Sequence, residues 1–225
     1  MILSLDTATK ICSIAVHNNG ELIVEQNFHL DKSHSALLPS IVNTVFAQIG
    51  IEKQDIKAVA ISDGPGSYTG LRIGTASAKG LCYSWDVPLI AINTLEAMAN
   101  EANKHNLEEA LLVPMLDARR MEVYTMVLDA DFQVLQETNA HVLEETSFQE
   151  FGDRTVLYFG NGAGKAVELL SKHKNFRYME HIYTYARSVG ELAWRKYESQ
   201  SFEDLAYYEP NYLKEFQAKK PKALM

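Results

Sequence analysis

Residues 63–74 read Asp-Gly-Pro-Gly-Ser-Tyr-Thr-Gly-Leu-Arg-Ile-Gly. This glycine content marks a backbone that turns tightly or lets another group approach closely. The stretch follows an apolar run at residues 56–61 and leads into a helix-forming segment, which is the layout of many anion-binding loops. It has neither the Gly-Lys-Ser/Thr of a P-loop nor the spacing of a dinucleotide fingerprint. A structural turn, with Ser67 or Thr69 as the helix N-cap, would explain the same residues.

The charge balance limits the partners of this chain. Its 225 residues fit one large domain or two lobes, and its net charge is −8. Such a charge argues against strong nucleic-acid binding by the chain alone. The exception is the C-terminal segment at residues 214–225, where four lysines face one glutamate. Two interpretations stay open for this segment: a solvated tail, or a contact with RNA within a complex.

Cysteine content and hydropathy favour a cytoplasmic protein. Cys12 and Cys82 are the only cysteines, which argues against a disulfide framework or a cysteine-based zinc site. The chain shows neither a basic N-terminal leader nor an apolar run approaching 18 residues. We therefore expect no membrane contact.

Hydrophobic periodicity predicts an α/β fold of two lobes. Three strands are predicted first, then alternating helices and strands, and then a second α/β half. The predicted domains are an N-terminal lobe at residues 1–100, a C-terminal lobe at 101–200, and an extended tail at 201–225 that packs back on the body. The predicted strands cover residues 2–5, 11–16, 22–28, 56–61, 87–92, 111–116, 122–128 and 156–159, and the predicted helices cover 37–49, 70–85, 94–103 and 185–197.

Two predicted helices have unusual compositions. The helix at residues 37–49 carries two adjacent apolar stripes, which is wide for a helix facing water. The helix at residues 70–85 contains Gly70, Gly74 and Gly80, and each interior glycine costs up to about 1 kcal/mol of helix stability. Close packing would offset that cost. The neighbour could be the sheet of the same chain or the helix of a partner.

Several motifs resemble one known family across essentially the whole chain. Strand ends followed by glycine- or hydroxyl-rich turns at residues 6–9, 63–70 and 160–164 resemble the actin-like ATPase superfamily. More closely, the chain is similar to the TsaB (YeaZ) family. The motifs that carry the closer resemblance are Leu-Asp-Thr-Ala-Thr at 5–9, Ser-Ile-Ala-Val at 13–16, His-Ser-Ala-Leu-Leu-Pro at 34–39, Gly-Pro-Gly-Ser-Tyr-Thr-Gly-Leu-Arg-Ile-Gly at 64–74, and Tyr-Glu-Pro-Asn-Tyr at 208–212.

The resemblance implies a fold and a role. The fold would be two-lobed, actin-like and ribonuclease H-like, with mixed central sheets flanked by helices. The role would be that of a non-catalytic subunit in making N6-threonylcarbamoyladenosine next to the anticodon of tRNAs that read codons beginning with A. The implied partners are the paralogous catalytic subunit TsaD, the ATPase TsaE, a second copy of the chain, and tRNA within the complex only.

Partner binding in this family is thought to use the first two helices. Carried over to this sequence, the resemblance predicts a partner interface and no catalytic residues. The predicted interface residues are His34, Leu37, Leu38, Ile41, Val42, Val45, Leu71, Arg72, Gly74 and Ala78.

The resemblance also implies a nucleotide-like cleft, vestigial or weak. In the superfamily, an aspartate like Asp6 holds the metal–nucleotide through water, the middle loop approaches the phosphates from the other lobe, and residues 160–164 resemble the adenosine loop. We expect no cofactor in the chain itself and leave open ATP or ADP at a complex interface. The predicted cleft residues are Asp6, Thr7, Thr9, Gly64, Gly66, Ser67, Thr69, Gly70, Gly160, Asn161 and Gly162.

The residues argue against a metal site and leave one enzymatic alternative. The catalytic paralogue carries two histidines at HxxxH spacing, but here His34 is followed by Leu38, and a lone histidine is a poor metal ligand. A stand-alone actin-like ATPase or small-molecule kinase would need a catalytic base. Asp63 and Asp117 are the candidates, although Asp117 could instead pair with Arg119 or Arg120.

Overall fold

The first of two sheets forms the N-terminal half of the molecule. The computed structural model describes residues 1–29 and 34–214, and for residues 34–37 it describes the backbone only. Strands follow the order β3-β2-β1-β4-β5, with β3, β2 and β1 antiparallel and β1, β4 and β5 parallel. These strands are β1 (Ile2–Asp6), β2 (Ile11–Asn18), β3 (Glu21–His29), β4 (Ala58–Gly64) and β5 (Leu89–Asn93).

The second sheet repeats the arrangement of the first. Its order is β10-β9-β6-β7-β8, with β6, β7 and β8 antiparallel and β6, β9 and β10 parallel. Read from β8, this is the topology of the first sheet read from β3. The predicted α/β fold with two lobes and mixed sheets is thereby confirmed. These strands are β6 (Leu111–Asp117), β7 (Glu122–Leu128), β8 (Val134–Val142), β9 (Val156–Phe159) and β10 (Phe176–Met179).

Helices cover both faces of the first sheet. Helices α1 and α2 contact each other and share one apolar core with Leu5 and Ile61, while α5 covers the opposite face through Val189 and Ala193. Across the described residues, no helix has the length and apolarity to cross a membrane. The helices are α1 (His34–Ile49), α2 (Tyr68–Trp85), α3 (Thr94–Asn103), α4 (Val167–Leu170) and α5 (Ala186–Glu198).

The two lobes exchange helices, which changes the predicted domain boundaries. Helix α3 precedes the second sheet in sequence and packs on it through Leu95 and Met98. Helix α5 follows the second sheet but packs on the first. Arg187 of α5 binds Glu101 of α3, with Nη2 2.5 Å from Oε1, and so ties the exchanged helices together. Residues 186–198 therefore belong by packing to the first lobe, not to a lobe spanning 101–200.

Helix ends differ slightly from the predictions. Helix α1 begins at His34, three residues before the predicted start, which places Pro39 in its second turn. Asn93 caps α3, since its Oδ1 accepts hydrogen bonds from the N–H groups of Leu95 and Glu96. Ser67 caps α2 by accepting from the Gly70 N–H at 3.3 Å.

The glycines of α2 have two different surroundings. A Cβ atom at Gly70 would overlap the carbonyl oxygen of Thr7, and one at Gly74 would overlap Thr7 Oγ1 and lie 3.1 Å from Ile61 Cδ1. Packing within the chain thus explains both glycines. At Gly80 a Cβ atom would meet nothing within 4 Å. Packing within residues 1–29 and 34–214 gives no reason for a glycine there.

We predict opposite effects of the same substitution at two glycines of α2. Gly74→Ala should lower the free energy of unfolding by about 1–3 kcal/mol, because the new methyl group overpacks a closed contact. Gly80→Ala should raise it by up to about 1 kcal/mol, because alanine is the better helix former and the site is open. Urea denaturation of both variants measures the difference. Equal effects of the two substitutions would contradict the described packing.

Candidate functional site

The middle loop at residues 63–70 lies in the same lobe as the first turn. Strand β4 is the parallel neighbour of β1, so both strands end at one edge of one sheet. The Ser67 N–H donates to the Ala8 carbonyl at 2.7 Å, and Thr7 Oγ1 donates to the Gly70 carbonyl at 2.8 Å. The prediction that this loop approaches from the other lobe is therefore wrong.

This contact leaves no space between the two loops. A Cβ atom at Gly66 would lie 2.6 Å from the Ala8 carbonyl oxygen, and one at Gly70 would lie 2.0 Å from the Thr7 carbonyl oxygen. The glycines serve this backbone approach rather than the approach of a ligand. The predicted cleft residues Thr7, Gly66 and Gly70 therefore lie in the direct contact between the two loops. They do not flank a phosphate-sized gap.

Asp6 is bound by donors of its own chain. Its side chain is buried, and Oδ1 accepts from the Ala8 N–H and from Ser62 Oγ, each at 2.9 Å. Oδ2 accepts from the buried Thr184 hydroxyl. Sequence reasoning missed Thr184 because it lies 178 residues away from Asp6, where no local pattern connects them. The carboxylate is therefore part of the packed interior.

A cavity of about 290 Å³ lies between the lobes. Of the predicted cleft residues, only Thr9 and Asn161 line it. His29 and Tyr183 stand at its rim with ring centroids 6.1 Å apart. Among the described residues, the lining consists of Thr9, Lys10, Ile11, His29, Met98, Asn161, Tyr183 and Thr184.

The remaining predicted cleft residues have structural surroundings. Gly160, at φ 100°, packs against the Met115 carbonyl, and a Cβ atom at Gly162 would lie 2.7 Å from the Leu116 carbonyl carbon. Thr69 is exposed in the first turn of α2, next to the capping residue Ser67. Glycine is needed at Gly160 and Gly162 for close backbone packing between neighbouring segments of the second lobe.

The tail crosses the middle loop as a strap at residues 203–214. Tyr208 Oη donates to Asp63 Oδ1 at 2.8 Å, and the Asn211 N–H donates to the Asp63 carbonyl at 2.9 Å. Gly64, at φ 120°, lies under the strap, since a Cβ atom there would be 2.6 Å from the Asn211 carbonyl oxygen. Burial raises the pKa of Asp63, and the Tyr208 hydrogen bond partly offsets that rise. Asp63 is thus engaged by the strap.

Asp117 is engaged as well, mainly by Lys165. Its Oδ1 lies 2.6 Å from Lys165 Nζ, a partner that the sequence did not indicate, and the Arg119 charge acts on it more weakly. Its side chain does accept the Arg119 backbone N–H at 2.9 Å. Partial burial alone would raise the pKa of Asp117, yet the Lys165 ammonium group lowers it overall. Both candidate bases are therefore engaged by side chains of the chain itself.

The predicted partner-interface residues mostly lie inside the chain's own core. The two apolar stripes of α1 are explained by its contacts with the first sheet and with α2, so these side chains offer no surface to a partner. Arg72 is exposed, and the side chains of His34 and Leu37 fall outside the described residues. The buried residues are Leu38, Ile41, Val42, Val45, Leu71, Gly74 and Ala78.

Helix α2 nevertheless presents an exposed face of small residues. Ala76 and Gly80 are exposed, Ile73 and Ser77 are half-buried, and the Tyr83 side chain is 84% exposed. The spacing of these positions places them along one side of the helix. We call this surface the outer face of α2. Within residues 1–29 and 34–214, no group of three or more His, Cys, Asp or Glu side chains could hold a metal ion.

The repeated lobes, the helix exchange and the interlobe cavity define a protein with the actin-like fold. A solved structure from Pseudomonas aeruginosa, titled as an uncharacterized protein with similarity to peptidase YEAZ, matches 95% of this chain and 99% of its own, with a TM-score of 0.84 and 22% identity. An activator of 2-hydroxyisocaproyl-CoA dehydratase from Clostridium difficile, with bound ADPNP, matches with a TM-score of 0.53 and 12% identity, over 88% and 96% of the two chains.

Sequence comparison is more specific than the fold. A family model described as TsaD, tRNA N6-adenosine threonylcarbamoyltransferase, matches residues 29–223. The tRNA threonylcarbamoyladenosine biosynthesis protein TsaB of Bacillus subtilis is 33% identical over 71% of this chain and 70% of its own. The Escherichia coli protein of the same name is 39% identical over 55% of this chain and about half of its own (52%). The chain belongs to the TsaB (YeaZ) family.

We predict that removal of the Tyr208 hydroxyl group lowers the stability of the chain by an amount that depends on pH. Tyr208→Phe removes the donor that stabilises the half-buried Asp63 carboxylate, which should cost about 1.5–3 kcal/mol at pH 7. Because burial holds the Asp63 pKa above its unfolded value, stability falls as pH rises from the ordinary aspartate pKa through the raised one. The loss in Tyr208→Phe should therefore shrink once Asp63 is protonated.

Urea denaturation at pH 7 and pH 4 measures this loss. Tyr207→Phe is the matched control, because the neighbouring Tyr207 side chain is 85% exposed, and it should change stability at neither pH. A loss in Tyr208→Phe that is the same at both pH values would show that the hydroxyl does not act through the Asp63 carboxylate.

Proposed function

We propose that this chain is the non-catalytic subunit that supports formation of N6-threonylcarbamoyladenosine next to the anticodon of tRNAs reading codons that begin with A. It pairs with and activates the catalytic subunit TsaD, and it works together with the ATPase TsaE. Family membership and the names of the relatives support this role. The proposal places the chain in the cytoplasm, in contact with tRNA only within the complex.

The outer face of α2 carries the proposal. Its small residues would let a partner helix approach closely, and none of the described residues fills the space around Gly80. Tyr83 projects beside them, and tyrosine is among the residues that contribute most at interfaces. None of the described contacts explains Gly80, and Tyr83 is exposed three residues further along the helix. This combination is typical of a helix that packs closely against a partner helix.

Helix α1 would complete this interface. It contacts α2, and its exposed positions include Ser40, Asn43, Thr44 and Ala47. These are small or polar side chains, so the α1–α2 pair can be solvated in the monomer and still dock against a partner. A polar rim around a small apolar centre is common in interfaces that form between folded proteins.

The same face would allow the chain to pair with itself. A stable interface needs roughly 800 Å² from each partner, and one α1–α2 pair offers a surface that a second copy can match by two-fold symmetry. Homodimer and heterodimer would then exclude each other. In this proposal TsaD competes with a second copy of the chain for the outer face of α2.

The closed loops support a subunit without chemistry of its own. An actin-like ATPase needs a gap for phosphates between two loops and a carboxylate that can reach the metal–nucleotide. Here the loops hydrogen-bond to each other, and Asp6 is held by Ser62, Thr184 and a backbone N–H. We propose that the isolated chain does not turn over ATP. A nucleotide in the complex would lie at the interface with TsaD.

We predict that charge on the outer face of α2 disrupts the heterodimer. Ala76→Arg and Gly80→Arg each place a long cation where a partner helix would pack, which should weaken TsaD binding at least about tenfold, or about 1.4 kcal/mol. Both positions are exposed, so the monomer should stay folded. Calorimetric titration of each variant with TsaD measures the affinity, and thermal unfolding checks the fold.

The matched control is Ala140→Arg, which adds the same charge at an exposed position of β8 in the other lobe. It should bind TsaD as the unmodified chain does. Substitutions such as Leu38→Glu are unsuitable because Leu38 is a core residue and its loss would unfold the chain. Unchanged affinity in both Ala76→Arg and Gly80→Arg would contradict the proposed interface.

A further inference from the structure

A histidine is fully buried beneath helix α5. His17 of β2 is 0% exposed and lies at a register shift, where Val16 pairs with Val24 of β3 but His17 pairs with Leu22. Irregularities of this kind often re-aim a side chain. The ring lies against Gly190 of α5, where a Cβ atom would be 2.1 Å from Nδ1. Glycine at this position lets the backbone of α5 rest on the imidazole ring.

The imidazole ring of His17 lacks hydrogen-bond partners. Within residues 1–29 and 34–214, no group bonds to Nδ1 or Nε2, and the Ser4 hydroxyl beside Gly190 has no partner either. Ile2, which pairs with His17 in the sheet, belongs to the apolar core beneath α5. Burial lowers the pKa of His17 below its ordinary value, because the charged form loses its hydration. The ring is therefore neutral in the folded chain at pH 7.

The charged groups that act on His17 are already bound to each other. Glu191 of α5 attracts an imidazolium, and Lys104 of α3 repels it. Both oxygens of the Glu191 carboxylate are occupied, Oε1 by Lys104 Nζ at 2.8 Å and Oε2 by Asn100 Nδ2 at 2.6 Å. These two bonds join α5 to α3. A charged His17 would thus stay unpaired or would weaken the contact between the exchanged helices.

The other carboxylates on the elements around His17 face elsewhere. Glu25 of β3 binds Arg187 of α5, with Oε2 3.2 Å from Nη1, and Glu101 of α3 binds the same guanidinium group. Glu21, at the start of β3, is exposed. Helix α1 packs on the opposite face of the sheet. The charges that act on the His17 pKa are those of the Lys104–Glu191 pair.

We propose that His17 makes the packing of α5 on the first sheet sensitive to acid. A buried cation without a partner costs far more free energy than a buried neutral ring. When His17 takes up a proton, α5 therefore moves away from the sheet and water reaches the imidazolium. The Ala186 N–H at the start of α5 donates to Ser13 Oγ at 2.8 Å, so the release concerns the part of the helix around Gly190. Because α5 is an exchanged helix, the release loosens the contact between the lobes.

The direction of the pH dependence follows from the lowered pKa of His17. Release of α5 restores the ordinary histidine pKa of about 6.5, so the released state binds a proton that the packed state does not. The packed state is fully stabilised above about pH 6.5, and this stabilisation is lost as pH falls from there through the lowered pKa. Within that window the equilibrium constant for release should rise up to about tenfold per pH unit.

Amide hydrogen exchange of the full chain at pH 7.5 and pH 5.5 measures the release of α5. After correction for the intrinsic pH dependence of exchange, the opening constant of residues 186–198 should be up to about tenfold higher at pH 5.5. His17→Met replaces the ring by an apolar side chain that takes up no proton, so the rise should disappear. His105→Gln is the control, because it removes an exposed histidine, and it should keep the rise.

A second measurement needs no substitution and so does not depend on the folding of the His17→Met chain. The NMR chemical shifts of the histidine ring nitrogens report which rings are charged. In the unmodified, folded chain at pH 6, His17 should be neutral.

Four outcomes would overturn the inference. One is a charged His17 in the folded chain at pH 6. Another is an opening constant of α5 that is the same at both pH values in the unmodified chain. The third is a rise that persists in His17→Met, which would assign the acid sensitivity to other groups. The fourth is an equal, His17-dependent rise in α2, which would show that the proton acts on the whole chain and not on the packing of α5.

Discussion

The direct contact between the turn after β1 and the loop before α2 determines the rest of the first lobe. Ser67 and Gly70 bond to Ala8 and Thr7 across the ends of two parallel strands. Only glycine fits at Gly66 and Gly70, because a Cβ atom at either position would overlap the turn after β1. Helix α2 therefore begins close to the sheet, and its outer face is exposed to solvent. These hydrogen bonds hold the two loops together and fix the start of the helix that we assign to partner binding.

Much of the fold could be predicted from periodicity, since alternating and helical patterns are local. The site could not be predicted in the same way. Asp6 and Thr184 meet across 178 residues and Thr7 and Gly70 across 63, and no spacing in the sequence signals either pair. A glycine-rich loop looks the same whether a phosphate or another backbone approaches it. Distinguishing the two required the position of Ala8 in the folded chain.

The apolar stripes of α1 show a second limit of sequence reasoning. A wide apolar face indicates burial but does not identify the neighbour, and here Leu38 and Val45 pack on the chain's own sheet and helix. The informative position was instead Gly80, a glycine inside a helix that no contact among the described residues explains. In this account the protein acts by binding a partner through the outer face of α2.

The most direct test is transfer of the threonylcarbamoyl group to tRNA by TsaD and TsaE, with this chain present, absent, or carrying Thr9→Ala and Asn161→Ala. These two residues line the cavity that remains between the lobes. The account predicts that transfer requires the chain and survives the double substitution. Transfer that proceeds without the chain would contradict the account, because the chain would then have no role as a subunit. Loss of transfer with a folded double variant that still binds TsaD would also contradict it, because the cavity would then have a chemical role.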